Sequence, residues 1–249
     1  MNLTVTNNAK PIAILVYHQV DLPAPKGQRF RSLSVAPKKF ASQMALLDFL
    51  GYRCLSMSAL TPYLLGEKSG KVVGLTFDDG YLNNLTHALP VLQRYGFSST
   101  CYAVSGLAGK TNQWDAAIGV CQTRLMSNFD MAQWIAGGQE IGSHTTTHVD
   151  LTDVANDVAN GEIVSGKHEL QTALNTPVKH FCYPFGRFQP SHIDMVSASG
   201  FTTATTTVRG RCLAGYSMLE LPRVPVLKST MLPLFWFKFA TGYEDRCGK

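Results

Sequence analysis

Two adjacent aspartates, Asp78 and Asp79, directly follow the apolar segment 72–77. Two free carboxylates cannot lie in an apolar core as charges, so each needs a partner or solvent. Consecutive residues at a strand end point to opposite sides, which lets one carboxylate bind a cation while the other faces a substrate as a base. The alternative is an ordinary turn, because Gly80 follows and Asp-Gly is a turn signal.

His144 and His148 are four residues apart and follow a second apolar segment, residues 140–143. The spacing places both imidazoles on one side if the loop between them turns helically. Neutral imidazoles suit zinc, cobalt or nickel. With Asp79 they make three protein ligands, the number typical of an open catalytic metal site. The sequence therefore predicts a divalent metal, most simply Zn²⁺ with Co²⁺ or Ni²⁺ as alternatives, at these three residues.

The polar residues that could do chemistry follow predicted strands at four places in the chain. These places are Tyr17-His18, Asp78-Asp79-Gly80, the segment from His144 to His148, and Tyr183-Pro184-Phe185-Gly186. In a parallel barrel the carboxyl ends of all strands open on one face, where the loops build the active site. We therefore expect the four groups to converge in space.

Short apolar runs alternate with helix-length segments along nearly the whole chain. Strands are predicted at residues 12–17, 53–56, 72–77, 98–104, 140–143, 180–183, 201–206 and 219–224, and helices at residues 37–50, 58–65, 83–95, 129–136, 154–174 and 191–199. This α/β alternation predicts a mostly parallel sheet covered by helices. About seven strands in one domain favour a (β/α) barrel over an open sheet.

Three details of these elements can be checked against the structure. Ser58 is expected to cap the helix that it precedes. Gly161 and Gly166 are weak helix formers inside the long helix 154–174. Residues 105–128 show no clear period, and so long a loop usually serves as a lid or a binding loop.

Composition excludes several classes of protein. Of the 249 residues, 45% are hydrophobic and 16% charged, which argues against disorder. The net charge is +5, but the longest Lys/Arg run is the pair Lys38-Lys39, so no nucleic-acid partner is expected. The chain contains no run of 18 apolar residues, so no membrane-spanning helix is predicted. The polar residues 1–10 lack the core of a signal peptide, and six cysteines without a C-x-x-C pair indicate reduced thiols, so the sequence predicts a cytoplasmic protein.

The motifs resemble those of a known family. Thr76-Phe77-Asp78-Asp79-Gly80 and Ser143-His144-Thr145-Thr146-Thr147-His148 resemble the first two motifs of the polysaccharide deacetylases, carbohydrate esterase family 4, whose domain is also called the nodulation-protein-B homology domain. Residues 15–20, near the start, resemble the branch that contains the poly-N-acetylglucosamine deacetylases. Residues 181–186 resemble the third motif of the family, and residues 221–224 resemble a late segment of that branch. The resemblance implies a single-domain, distorted and incomplete (β/α) barrel at residues 12–240, with an N-terminal extension, 1–11, and a C-terminal tail, 241–249.

The resemblance also implies roles for the motif residues. Asp78 resembles the general base that activates the attacking water. Asp79, His144 and His148 resemble the metal ligands. The backbone N–H of Phe185 would help to hold the oxyanion, a role worth about 3–4 kcal/mol where one such donor was removed in another enzyme.

The segment around Pro184 is expected to contact the substrate. Tyr81, Trp114 and Tyr183 are candidates for stacking on a sugar ring, with packing inside the protein as the alternative for each. The hydroxyl of Thr145 is expected to hold the loop between the two histidines through a local hydrogen bond.

Two departures from the family pattern require substitutes. The arginine that usually tethers the base stands two residues before the proline of the third motif, where this chain has Cys182. The usual late histidine, the general acid, is missing after Arg211. We expect His18, whose side-chain class titrates near neutrality, to act as the acid and Arg223 to tether the base. The alternatives are a structural histidine and a surface ion pair.

The expected function is that of a metal-dependent amide hydrolase. It would remove the N-acetyl group from an amino sugar in a glycan or glycan precursor and release acetate. The alternatives are removal of another acyl group, such as a formyl group, and a non-catalytic carbohydrate-binding relative. A cytoplasmic enzyme would act on a lipid-linked or nucleotide-linked sugar, or on a glycan under assembly.

The segment 231–239 near the C-terminus is rich in aromatic residues and contains Lys238. Such a segment is amphipathic enough to lie at a lipid interface. The sequence therefore predicts either a closing helix with aromatic residues in the core or a peripheral contact with the inner membrane face.

Overall fold

The protein is described from a computed structural model, in which residues 10–213 and 215–246 are placed. Most of the predicted N-terminal extension, the end of the predicted C-terminal tail and Cys247 lie outside the described residues.

Strands and helices alternate along this part of the chain, as the sequence predicts. The strands are β1 (Ile14–Tyr17), β2 (Gln19–Val20), β3 (Ser34–Val35), β4 (Arg53–Leu55), β5 (Val72–Phe77), β6 (Thr100–Ala103), β7 (Glu140–Ser143), β8 (His180–Cys182), β9 (Thr203–Arg209) and β10 (Leu221–Pro225). The α-helices are α1 (Pro37–Phe49), α2 (Met57–Leu64), α3 (Leu89–Tyr95), α4 (Asn128–Ala136), α5 (Asn156–Leu174), α6 (Pro190–Ala198) and α7 (Leu232–Ala240).

Seven parallel strands of the described chain form a closed barrel in the order β1-β10-β9-β8-β7-β6-β5. The ring closes where β5 pairs with β1, from Ile14 opposite Gly74 to Tyr17 opposite Phe77. On its other side β5 pairs first with β4 and then with β6. The predicted (β/α) barrel of about seven strands is confirmed, and it has one ring strand fewer than the regular eight-stranded barrel.

The barrel strands are apolar along their length because helices or the barrel interior cover both of their faces. All six residues of β5 are buried. Helix α1 turns Phe40, Met44 and Leu47 towards the core, which is the predicted apolar face. Phe40 packs between Tyr17 and Phe77, with ring centroids 5.3 and 5.9 Å away.

The N-terminus of α2 differs from the prediction by two residues. Ser56, not Ser58, is the N-cap, and its Oγ accepts a hydrogen bond from the Ala59 N–H at 3.4 Å. The hydroxyl of Ser58 instead contacts Glu140 and His180. Both serines have the right side chain for a cap, and tertiary partners decide between them.

Helix α7 has both buried and exposed aromatic residues. Phe235 and Phe239 are buried in the core, whereas Trp236 and Phe237 are exposed on the opposite side. No helix within the described residues is long and apolar enough to cross a membrane. The five cysteines of the described chain are unpaired, as the sequence predicts.

Candidate active site

The predicted residues converge at the carboxyl end of the barrel. His18 follows β1, the two aspartates follow β5, and the two histidines follow β7. A pocket of about 480 Å³ opens between them and is lined by His18, Asp78, Asp79, His144 and His148. The structure therefore brings together five of the residues that the sequence analysis selected.

Three of these side chains direct ligand atoms at one point. Asp79 Oδ1 lies 3.5 Å from His144 Nε2 and 3.3 Å from His148 Nε2. A tetrahedral metal site with bonds of about 2.1 Å spaces its ligand atoms about 3.4 Å apart. His144 Nδ1 lies 2.7 Å from the carbonyl oxygen of Cys182, which leaves Nε2 for a metal. The donor set and its spacing fit a divalent metal.

The loop of residues 144–148, named the histidine loop, does not turn helically, although a helical turn was the condition under which its spacing places both imidazoles on one side. It is a bend in which Thr145 and His148 adopt left-handed backbone angles, with φ of 67° and 64°. Asp79 has φ of 73°. Such angles cost about 1–3 kcal/mol per non-glycine residue, and they cluster at functional sites. Thr145 Oγ1 accepts the His148 N–H at 3.0 Å, as predicted.

The carboxylate of Asp78 lines the same pocket and binds Arg223. The guanidinium donates from Nη1 to Oδ1 at 2.6 Å and from Nη2 to Oδ2 at 2.7 Å. Arg223 is buried and also donates to the Thr206 carbonyl, to Thr76 Oγ1 and to Cys182 Sγ. The alternative of a surface ion pair does not apply, because both partners are buried.

Burial and neighbouring charges act in opposite directions on these groups. Burial raises the pKa of Asp78, but the Arg223 guanidinium outweighs it and holds that pKa below its usual value. Burial also raises the pKa of Asp79, while hydrogen bonds from His144 and His148 lower it well below the usual range. Both carboxyl groups are therefore ionised at neutral pH.

His18 lies on the wall of the pocket and is partly open to solvent. Its Nε2 is 4.0 Å from Asp78 Oδ2, and its side chain is 26% exposed. Its backbone carbonyl accepts a hydrogen bond from Asn84 Nδ2 at 2.8 Å, which anchors the chain at this point. The imidazole is thus held beside the predicted base and can reach a molecule in the pocket.

The aromatic residues near the pocket differ in what they can offer a ligand. Trp114 stacks on His148 with ring centroids 4.3 Å apart, and Phe185 meets the same imidazole edge-on at 4.6 Å. Phe185 is 46% exposed. Tyr183 is buried, and its hydroxyl donates to the Leu219 carbonyl at 3.2 Å. Tyr183 is thus packed into the pocket wall rather than free to stack.

Two other predicted contact residues, Tyr81 and Pro184, lie beneath the surface. Tyr81 is buried and lines a neighbouring pocket that also contains Asp79. Pro184 is buried at the start of a 3₁₀ turn, and Phe185 follows it with a left-handed φ of 57°. Pro184 thus helps to set the backbone of Phe185, while Tyr81 faces the adjoining groove.

Sequence reasoning missed several residues of the pocket wall, namely Phe30, Leu33, Asp115 and Thr207. Asp115 is the most notable, because burial and then the negative charge of Asp79 raise the pKa of its carboxyl group. It belongs to the long segment 105–128, which the sequence analysis expected to be a lid or binding loop. The length of that segment was the available signal, and it did not single out a residue.

Comparisons with known proteins agree with the motifs. A family model described as "Polysaccharide deacetylase" matches residues 65–204. Protein YxkH of Bacillus subtilis (strain 168), whose name assigns it to the polysaccharide deacetylases, is 26% identical over 223 residues, covering 89% of this chain and 73% of YxkH.

Solved structures show the same similarity in three dimensions. The Streptococcus pyogenes deacetylase PplD, in complex with acetate, matches with a TM-score of 0.81 and 25% identity over 93% of this chain and 99% of PplD. BA0330 of Bacillus anthracis, also named for the polysaccharide deacetylases, matches with a TM-score of 0.77 and 27% identity over 92% of this chain and 69% of BA0330. Because the family model covers more than half of the chain, the protein belongs to the polysaccharide deacetylase family, whose general chemistry is the deacetylation of carbohydrates.

Proposed function

We propose that the protein is a metal-dependent N-deacetylase that hydrolyses the N-acetyl group of an amino sugar in a glycan or glycan precursor and releases acetate. The observation that supports it most directly is the position of Asp79 Oδ1, 3.5 Å from His144 Nε2 and 3.3 Å from His148 Nε2, beside the buried carboxylate of Asp78. A non-catalytic binding relative would have no need of this arrangement.

Asp79, His144 and His148 hold the metal in this proposal. The two imidazole nitrogens and the carboxylate oxygen favour Zn²⁺, with Co²⁺ and Ni²⁺ as the alternatives. When bound, such an ion acts as a Lewis acid that polarises a carbonyl and lowers the pKa of water. The three ligands come from two segments, those that follow β5 and β7, and they line the same pocket as Trp114 and Phe185.

Asp78 is the general base. It is ionised, it precedes the candidate ligand Asp79 in the chain, and it lines the pocket. Arg223 is a positioning residue, since its two parallel hydrogen bonds orient both oxygens of the carboxylate. This guanidinium performs from β10 the task that Cys182 cannot perform from β8.

His18 is the general acid. The amine of the sugar is a poor leaving group unless it is protonated as the C–N bond breaks, so an acid must lie within about 3 Å of it, directly or through one water. The imidazole of His18 projects into the pocket beside Asp78 and is accessible from it. Proton removal and proton delivery thus belong to two residues on neighbouring strands.

Phe185 and Trp114 provide the substrate contacts on the open side. The backbone N–H of Phe185 is proposed to donate to the oxyanion, and the rings of Phe185 and Trp114 offer apolar surface to a sugar. Tyr183 and Pro184 shape this wall from beneath, and Tyr81 lines the adjoining groove. The acetate in the PplD structure supports an acetyl group, rather than a formyl group, as the group removed.

The test is acetate release from N-acetylglucosamine oligomers by the purified protein. We expect release that a chelator abolishes and that Zn²⁺, Co²⁺ or Ni²⁺ restores, because two proton-transfer groups without the metal leave the amide unpolarised. Matched N-formyl oligomers serve as the acyl control, and formate release alone would replace the acetyl proposal. Glycan binding without any metal-dependent turnover would contradict the enzyme and support the binding relative.

A further inference from the structure

The histidine loop has no regular secondary structure of its own, yet its backbone groups are bonded on both sides. Along one side, Ser105 N–H donates to the Thr145 carbonyl at 3.2 Å, and Gly106 N–H donates to the Thr146 carbonyl at 2.9 Å. These bonds satisfy the carbonyls of the loop. The N–H groups of Thr146 and Thr147 point the other way, towards helix α5.

Glu162, on the second turn of α5, receives those N–H groups. One carboxylate oxygen accepts from Thr146 N–H at 3.0 Å and from Thr147 N–H at 2.8 Å. The other oxygen accepts from Thr147 Oγ1 at 2.8 Å, and the backbone carbonyl of Glu162 accepts from Thr146 Oγ1 at 3.3 Å. One residue thus makes four hydrogen bonds to the middle of the histidine loop.

Gly166, one turn further along α5, allows the helix to approach this closely. A Cβ at this position would lie 2.8 Å from the Thr145 carbonyl carbon and 3.1 Å from Thr146 N. Both contacts are to backbone atoms, which cannot move aside as a flexible side chain could. Gly161 on the same helix has open space at its Cβ position. The two helical glycines are therefore different in kind.

We propose that Glu162 is a positioning residue of the metal site, acting through the histidine loop, with Gly166 providing the close approach that it needs. This inference rests on the proposed function, because it presumes that His144 and His148 bind a metal. The hydrogen bonds of the Glu162 side chain go to Thr146 and Thr147 and not to either histidine. Glu162 holds Thr146 and Thr147 between the histidines, and so sets the separation and direction of the two imidazoles.

The physical need for such an anchor follows from the backbone of the loop. Thr145 and His148 both have left-handed angles, which non-glycine residues leave unless other contacts hold them. A loop released from Glu162 would relax towards ordinary angles and swing the imidazoles away from Asp79. Metal affinity would then fall because the apoprotein must first restore the geometry. Hydrogen-bond partners that orient metal ligands typically change affinity by about 10- to 100-fold when removed.

The experiment compares Glu162→Ala with Glu162→Gln. The glutamine amide oxygen can accept both backbone N–H groups, and its NH₂ can donate to Thr147 Oγ1, so Gln preserves the geometry without the charge. We expect Glu162→Ala to raise the dissociation constant for Zn²⁺ about 10- to 100-fold, measured by chelator competition, and Glu162→Gln to remain within about threefold of wild type. The visible absorption spectrum of the Co²⁺-loaded protein should change in the alanine variant and not in the glutamine variant.

Two further variants separate loop geometry from general damage to α5. Gly166→Ala should weaken Zn²⁺ binding, whereas Gly161→Ala should bind Zn²⁺ like wild type. Glu169→Ala is the charge-matched control, because Glu169 lies on the same helix and its carboxylate accepts from Ser105 Oγ rather than from the histidine loop. If Glu162→Ala fails to fold, Gly166→Ala against Gly161→Ala still decides the question.

The outcomes distinguish this inference from the proposed function. Wild-type protein that binds none of the three metals would overturn both. Wild-type binding with unchanged affinity and Co²⁺ spectrum in Glu162→Ala and Gly166→Ala would overturn the role of Glu162 alone. Equal loss in the alanine and glutamine variants would also overturn it, since it would show that the negative charge, and not the loop geometry, determines affinity.

Discussion

The two ends of the barrel each hold a cluster of acidic and histidine side chains, but their polar atoms are used differently. At the amino end, four strands begin with a polar residue, and a serine of α2 joins them; the members are Ser58, Thr100, Glu140, His180 and Thr203. Their bonds link serine to glutamate and histidine, threonine to glutamate, and histidine to the second threonine. Each polar side-chain atom has a partner inside the cluster.

The carboxyl end leaves its polar atoms directed at a pocket. Within the described part of the chain, Asp79, His144 and His148 direct their ligand atoms at one point. Strained backbone angles occur at Asp79 and His148, and no member of the amino-end cluster has one.

Residue type alone therefore does not identify an active site. A histidine, a carboxylate and a hydroxyl meet at both ends. A closed network stabilises the fold because every buried group is satisfied. At the carboxyl end, ligand atoms face a pocket, where a metal or a substrate can bind them. This is the usual division between the two faces of a (β/α) barrel.

The largest effect is expected when two of the three candidate metal ligands at the carboxyl end are removed. The double variant His144→Ala/His148→Ala should bind no metal and release no measurable acetate, because one carboxylate cannot hold the ion in an open site. Metal content is measured by elemental analysis after dialysis. Full metal occupancy in the double variant would place the metal elsewhere and break the comparison.

The next effect concerns Asp78. We expect Asp78→Asn to keep the metal and to lower the rate of acetate release by about 10²- to 10⁴-fold, because the amide cannot accept the proton of water. Asp79→Asn is the matched control and should lose metal. If Asp78→Asn instead loses the metal and Asp79→Asn keeps it, the roles proposed for the two carboxylates are the wrong way round.

His18→Ala should reduce turnover by about 10²-fold with the metal retained. Because a general acid must carry its proton, the wild-type rate should fall as the pH rises, and the variant should lack this alkaline limb. Rate profiles across pH test both statements. Wild-type turnover in the variant at every pH would move the acid to another group.

Substitutions in the amino-end cluster should lower the stability of the fold and leave turnover unchanged. Burial raises the pKa of Glu140, but hydrogen bonds and charge from His180 outweigh it and hold the pKa at about 2. A depressed carboxyl pKa contributes stability that is present above the unfolded value of 4.5 and is lost as the pH falls through the folded value. A depression of this size is worth roughly 3 kcal/mol.

Glu140→Gln should therefore unfold more easily than wild type at neutral pH, and the difference should shrink as the pH falls below about 4.5. Urea unfolding at several pH values measures it. Acetate release per folded molecule should match wild type. A loss of turnover at full folding would show that the amino end takes part in the chemistry.

The smallest expected effect tests the outer face of α7. Trp236 and Phe237 are 40% and 49% exposed, with ring centroids 5.1 Å apart. If this face contacts a membrane, anionic liposomes should float the wild type and float Trp236→Ala less, because an interfacial tryptophan is lost. Phe129→Ala, which removes an exposed aromatic from α4, is the control. Absence of wild-type flotation would remove the membrane contact.

The alternation of strands and helices and the identities of the motif residues could be predicted from the sequence. Strand-ending polar groups indicate the site because parallel strands share one carboxyl edge. Those patterns are local, so the buried run before Asp78 and the spacing of His144 and His148 could be seen without coordinates. The compartment and the domain boundaries, which have no such local pattern in the described chain, stay predictions.

The contacts between groups far apart in sequence depend on the tertiary structure. Arg223 was predicted to tether Asp78, with a surface ion pair as the alternative, and folding brings the two buried groups together across 145 positions of sequence. No local pattern pointed to Glu162, which binds the histidine loop from helix α5. Tertiary contacts also bury Tyr183, make Ser56 the N-cap of α2, and place backbone atoms next to Gly166 but not next to Gly161. The physical reason is that a side chain's role depends on the partners that folding brings within hydrogen-bond or van der Waals distance, and those partners come from elements that no local pattern connects.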